Sequence, residues 1–443
     1  MRAFFAGSFA CLVLGCSDHP QVRVELSRCW PKACDSTPCV DAGVDAGVAA
    51  AWGSWAASLS VPSCIDGGLL IVNTLEGTLL DTTITAPPGP TLSLPEALWV
   101  ARNRPGPDTI AFSESVFPSS APGTIRLGSG PQLPQDLTEV CIDARNRGVI
   151  VDWAGLVNPN LNHIWGLTEG SVQIGLVLVN TPSPQYVIRS QVAGCRVGTD
   201  GLTASANGFF ALTGTGAMIG PGNAIGGGAW FSDSEIFEND LNHDPLTHVT
   251  LPRAFIVRCD PPMVHIRNNV AAGFDLSLFR TGEVTMNGNS IGVDRQRRPV
   301  GGTSSTGISI SGYASTAYAF IGPNNVITGR EYAVTVFSPT VVQVAQNSIW
   351  GNTNGIASTA VSPPVIVSVD GGFVEGTCAT PGLIELFSDR GNQGEIYMTS
   401  TTCGTTWQAT VPRQPGRNVT ATLTEAGGRA GHGTSNFSAP VSF

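Results

Sequence analysis

The sequence predicts an all-β protein, a stack of short repeated strands followed by a small β-sandwich, and three observations predict it. Only 13% of the 443 residues are charged, against 53 glycines and 31 prolines. Helices need Glu, Lys and Arg on their wet faces, whereas turn-rich β structure does not. The middle of the chain also repeats itself. GPGNAIGG (220–227) returns as GPNNVITG (322–329), RVGTD (196–200) returns as SIGVD (290–294), and shorter echoes follow in IRNNVAAG (266–273), MNGNSIG (286–292) and VAQNSIWGN (344–352). A short apolar-alternating run, then Asn or Gly, then another short run is the common theme, as expected of a solenoid. Finally, past Ser362-Pro363-Pro364 the rhythm changes to longer alternating strands.

The chain opens with Arg2 and an apolar run from Phe4 to Leu14, too short to span a bilayer. The run ends in Leu12-Val13-Leu14-Gly15-Cys16, which resembles a bacterial lipobox. That resemblance implies that residues 1–15 are a signal peptide and that Cys16 is lipidated. The chain would then partner a membrane through its acyl anchor, and Ser17 behind Cys16 favours the outer membrane. Residues 16–64 read as a tether. The spacer DAGVDAGVAAA (41–51) has too little apolar surface to offset the entropy of ordering it. Cys29, Cys34, Cys39 and Cys64 lie in this stretch. In an oxidising compartment they are expected to form disulfides, with three pairings open. Their spacing fits no zinc pattern.

The span 65–361 reads as the solenoid. Leu69–Asn73 is its first strand. Ser93, Pro95 and Glu96 then predict a helix start, a capping box with proline in the first turn. Leu94, Ala97, Leu98 and Ala101 share one face of that helix, which suits it to cover the open end of a strand stack. TLSLPEAL (91–98), NRPGPDTIAF (103–112) and GTIRLGSGPQLPQDLTEVCID (123–143), with NSIGVD and GPNNVITG further on, resemble bacterial surface proteins with pectate-lyase-like right-handed parallel β-helices. Pro95 replaces the usual basic residue of the entry motif. The likeness implies a right-handed parallel β-helix with an N-terminal capping helix, about a dozen coils and roughly 55 Å long at the strand spacing. Val149–Trp153, Val172–Val179, Gly307–Ser311 and Tyr332–Phe337 read as coil strands. Asn268, Asn269, Asn324, Asn325 and Asn347 fall at the turns, where Asn tolerates the left-handed backbone and can hydrogen-bond along the stack. Cys141, Cys195 and Cys259 are spaced by near-whole numbers of coils and are expected to be buried, stacked on one face or forming one bridge.

Chemistry is sparse. Asp233, Glu235, Glu238, Asp240 and Asp244, with His243 and His248, form the most polar cluster. Paired carboxylates serve glycosidases, and a carboxylate cluster can hold calcium for a polysaccharide lyase. The same alternation also suits a strand with one wet face. Arg295, Arg297 and Arg298 form the one basic run and are candidates for binding an acidic polysaccharide. His163 and His265 stand alone. Lys32 is the single lysine, which leaves little room for Schiff-base or phosphate-loop chemistry, and no metal site is expected. The net charge of −10 argues against nucleic acid as a partner. Residues 362–443 carry seven strand-like runs, Val365–Val369, Phe373–Cys378, Ile384–Ser388, Ile396–Thr401, Thr406–Val411, Val419–Leu423 and Phe437–Val441, with Trp407 as a core aromatic. Cys378 and Cys403 are expected to bridge. ELFSD and NVTATLTEAGG resemble phrases of immunoglobulin-like modules, which implies an immunoglobulin-like β-sandwich able to cover the rod's far end. The expected function is a lipid-anchored envelope protein at the outer membrane or cell surface, with a structural or glycan-binding, adhesion-type role. The alternative is a polysaccharide lyase or glycoside hydrolase using the acids of 233–244.

Overall fold

Alternating apolar and polar residues between frequent Gly, Asn and Pro turns give strands as short as Glu76–Gly77 and as long as Phe255–Arg267. The computed structural model describes residue 59 and residues 63–64, 67–78, 81–127, 133–153, 165–181, 184–193, 195–197, 212–243, 254–279, 282–301, 304–312, 316–337, 340–357, 361–426 and 433–443. The described part is all-β apart from one helix. Two long parallel sheets, of 19 and 11 strands, occupy residues 68–357, and antiparallel sheets of three and four strands follow.

The parallel part is built from three ladders visited in rotation. Within each, a strand pairs in parallel with the strand one circuit of chain later. Facing residues fall in columns. One inward column runs Leu70, Ile110, Ile142, Gln173, Val192, Ile219, Ile236, Ile266, Met286, Ile321 and Val344. Another, in the 11-stranded sheet, runs Ile125, Val151, Leu178, Val197, Ile225, Leu241, Ala271, Ile291, Ile327 and Ile349. These side chains belong to one continuous apolar cluster, apart from Gln173. Each large aliphatic member contributes about 1.5–3 kcal/mol. Gln173 is fully buried and bonded: the Trp165 indole N–H donates to its Oε1 (2.9 Å), as does the Gln185 amide (2.9 Å). The run 172–179 is therefore two strands, Val172–Ile174 and Val177–Val179, because Gly175 turns the chain at φ +77° between them.

At one corner a ladder of asparagines runs through six circuits: Asn223, Asn239, Asn269, Asn289, Asn325 and Asn347, each at most 3% exposed. The side-chain amide of each of the first five donates to the next one's Oδ1 at 2.9–3.1 Å. The same Oδ1 accepts the preceding asparagine's backbone N–H, and each amide also donates to a carbonyl such as Ile236 O or Met286 O. Their neighbours Asn268 and Asn324 are exposed and hold the left-handed backbone, at φ +57° and +66°. Both copies of the Gly-Pro motif, Gly220-Pro221 and Gly322-Pro323, are cis.

Both ends of the stack are covered. Helix Leu94–Asn103 starts at Ser93 with the predicted capping box, and Leu94, Ala97, Leu98, Val100 and Ala101 join the main cluster. At the other end Phe387 and Phe437 of the antiparallel part join it, their ring centroids 5.5 Å apart. Ile349 and Gly394 exchange backbone bonds there, Thr434 N–H donates to Val342 O, and Gln346 N–H donates to buried Glu385. The last expected strand, 437–441, shrinks to Val441–Ser442. Upstream of it the Ser435 and Ser438 hydroxyls accept the N–H groups of Leu423 and Ala421, so side chains replace part of the ladder.

Two expectations about cysteine need correction. Cys64 bridges Cys141, not a cysteine of the tether. Cys141, Cys195 and Cys259 do not stack: Cys141 and Cys259 lie on different ladders, Cys195 at a turn, and the last two are buried free thiols. Burial pushes the Cys195 thiol up to about 11, and Cys259 is raised further for the same reason, so both behave as small apolar groups. Cys378 and Cys403 are bridged. Cys16, Cys29, Cys34, Cys39, His163, Asp244 and His248 lie outside the described residues.

Candidate functional site

The acids of 233–244 are divided among three environments. Strand Gly228–Phe237 changes register between Ser232 and Ser234, where Asp233 sits exposed at φ +46°. Glu235 points outward from the next stretch and pairs with Arg267, which also reaches Glu238 at 3.7 Å and lies over the Phe237 ring at 4.4 Å. Asp240 is 3% exposed at its side chain and pairs with Arg295 Nη1 at 3.0 Å. His243 is buried. Glu235, Glu238 and Asp240 are thus joined to arginines as ion pairs on different turns. His265, on the rung after Glu235, is exposed, with Nδ1 2.7 Å from Thr285 Oγ1.

The basic run forms a small loop closed by the Val293–Pro299 bridge. Asp294 organises it, accepting from the backbone N–H groups of Gln296 and Arg298 and from Arg298 Nε at 2.6 Å. Burial works against its carboxylate, but these bonds outweigh burial and hold its pKa below the usual range. Arg295 is committed to Asp240 and Arg298 to Asp294, and Arg297 stands exposed at φ +62°. Among the described residues, no three of His, Cys, Asp and Glu gather closely enough to hold a metal ion, and no helix is long and apolar enough to cross a membrane.

A second candidate surface lies on the outer face of the 19-stranded sheet. Residues Tyr186, Thr213, Trp230, Arg258, Ser277 and Ser311 form one outward column on successive rungs. Ile188, Thr215, Ser232 and Asp260 form the column beside it. Between them runs an open groove of about 520 Å³. Two aromatic side chains stand wet in it: Tyr186 is 49% and Trp230 40% exposed. Trp230 is held in place, because its indole N–H donates to Asp260 Oδ2 at 2.8 Å and the Arg258 guanidinium lies 5.4 Å from its ring centre. Arg258 also lies 5.7 Å from the Phe279 ring. A bond from a neutral donor to a carboxylate contributes about 1.5–3 kcal/mol, enough to favour one orientation of the indole. The groove therefore offers two wet aromatic rings, that of Trp230 held in orientation, beside a carboxylate and the hydroxyls of Thr213, Thr215 and Ser232.

This groove is not legible in the sequence alone. Its signal was parity: Trp230 lies between Ala229 and Phe231, which both face inward. That parity becomes informative only when the register of the neighbouring rungs is known. No protein-family model matches the chain, and a search of curated proteins found no significant match.

Proposed function

We propose that this chain is an envelope lipoprotein whose parallel part is a right-handed β-helix, closed by an immunoglobulin-like sandwich, and that its flank binds polysaccharide. Parallel strands joined in rotation over three ladders support the helix reading, and the strong bias of parallel crossovers supports its hand. Two antiparallel sheets around buried Trp407 with one disulfide support the sandwich. The lipobox-like sequence ending at Cys16 supports lipidation and residence at the outer membrane or cell surface.

The single observation that carries glycan binding is the Tyr186–Trp230 groove. A sugar ring has apolar C–H faces and hydroxyls at its rim. It matches a wet aromatic ring flanked by a carboxylate and hydroxyls, and most other polymers do not. Exposed aromatic area of this kind marks binding surfaces rather than chance exposure when it lines a concave site with a few convergent polar groups. Binding needs no acid–base pair, which suits a molecule in which Glu235, Glu238 and Asp240 are held in ion pairs.

Retention of the protein on immobilised polysaccharides tests the reading. Wild type is expected to be retained on at least one polymer and Trp230→Ala to elute with the void volume. Equal retention of both would overturn it. The anchor is tested separately by palmitate labelling in a bacterial host, where Cys16→Ser is expected to abolish incorporation.

A further inference from the structure

Resting on that reading, we infer that the groove takes a neutral, extended β-1,4-linked pyranose chain laid along the stack, with Tyr186 and Trp230 contacting alternate sugar units. The spacing of the two rings carries the inference. Tyr186 pairs with Thr213, and Thr213 pairs with Trp230, so the two aromatics stand two rungs apart in one outward column. At the spacing of paired strands this places them about 9.6 Å apart. Two units of an extended β-1,4 chain span closely that distance. In such a ribbon each unit is turned over relative to its neighbour, so units two apart present the same face. A ring under every second unit is therefore the arrangement that such a chain fits. Thr213, the residue between, is small enough to pass the intervening unit and brings a hydroxyl to its rim. An α-1,4 chain winds as it extends and would carry its second matching face away from a straight column.

Charge points to a neutral chain. Asp260 lies at the groove with its carboxylate fixed by the Trp230 indole, and the whole chain carries −10. Both repel a uronate polymer. The nearby cation, Arg258, is stacked against Trp230 and Phe279. Sugar hydroxyls donating to Asp260 are the complement of this arrangement.

The test is titration of the full chain with β-1,4-linked glucose, N-acetylglucosamine and mannose oligomers of two to six units, with α-1,4-linked gluco-oligomers and oligogalacturonates alongside. Reaching both rings takes three units. One β-1,4 series is therefore expected to bind roughly tenfold more tightly at three units than at two. Tyr186→Ala should erase that step, so that three units bind no more tightly than two. Tyr186 is half exposed, so this variant keeps its fold, and an unchanged melting curve checks that. A missing step, or tighter binding of the α-linked or acidic oligomers, overturns the inference while leaving glycan binding intact. No binding to any oligomer, together with no retention on any polymer, overturns both.

Discussion

Asparagine does two different jobs at adjacent positions in this chain. Asn268 and Asn324 accept a backbone angle that other residues resist, while Asn269 and Asn325, one residue on, are sealed inside and bonded on every side. Asn269 receives the N–H and side-chain amide of Asn239 and donates to Ile236 O and Asn289 Oδ1. Asn269→Ala would leave these groups buried and unpaired, at about 1–3 kcal/mol for each full loss. We expect destabilisation of roughly 3 kcal/mol in urea unfolding. Asn347, at the end of the ladder, donates to Ile321 O without a further asparagine beyond it, and Asn347→Ala should cost less. The turn positions of Asn269, Asn325 and Asn347 were readable from their repeating context. The membership of Asn223, Asn239 and Asn289 was not, because it depends on circuits as different as 16 and 36 residues closing on one corner. The inward place of Gln173 is not legible in the sequence for a related reason. Its neighbours Val172 and Ile174 look like the inward pair, yet the amide faces in because Trp165 and Gln185 are there to bond it.

At the scale of elements, the joint between the parallel part and the antiparallel module carries a buried acid. Glu385 is 1% exposed. One carboxylate oxygen accepts Gln346 N–H, and the other has no partner, opposite Ser400 and Thr422 on the flanking strands. Burial raises its pKa to about 7, and the bond from Gln346 only partly offsets this. Because the folded pKa lies above the unfolded one, the contribution to stability is fully present below about pH 4.5. It declines as pH rises and is lost once pH passes about 7. A shift of this size corresponds to roughly 3 kcal/mol. Glu385→Gln is expected to raise the melting temperature at pH 8 and to flatten the profile between pH 4.5 and 7. An unchanged profile would show that the carboxyl is hydrated there. A second pair works the other way. Arg295 reaches back across two rungs to Asp240, so Arg295→Ala should destabilise by about 1–3 kcal/mol. Asp240→Asn made on that background should restore part of the loss, as a double-mutant cycle would show. The basic run is legible in the sequence, but the commitment of Arg295 to an acid 55 residues earlier is not.

For the whole molecule, the Cys64–Cys141 bridge fastens the chain entering the fold to the third strand of its ladder, across 77 residues. A loop of that length gives about 4.5 kcal/mol in the chain-entropy model. Cys64→Ser with Cys141→Ser is expected to lower thermal stability markedly, and peptide mapping under non-reducing conditions should recover the two cysteines as one cross-linked species. The covers at the two ends are unlike each other. A short amphipathic helix suffices at the start, and a pair of antiparallel sheets bonds onto the last circuit at the finish. Composition, the Asn and Gly echoes and the capping box are enough to make the chain all-β, to mark several of its turns and to start the one helix at Ser93. These are local properties, fixed by side-chain parity and backbone freedom within a few residues. Which cysteines meet, which acids are tied to arginines and that Tyr186 and Trp230 share a groove follow from the folded arrangement alone. Those contacts join residues on different circuits of unequal length, and their register is set by the packing of the whole interior.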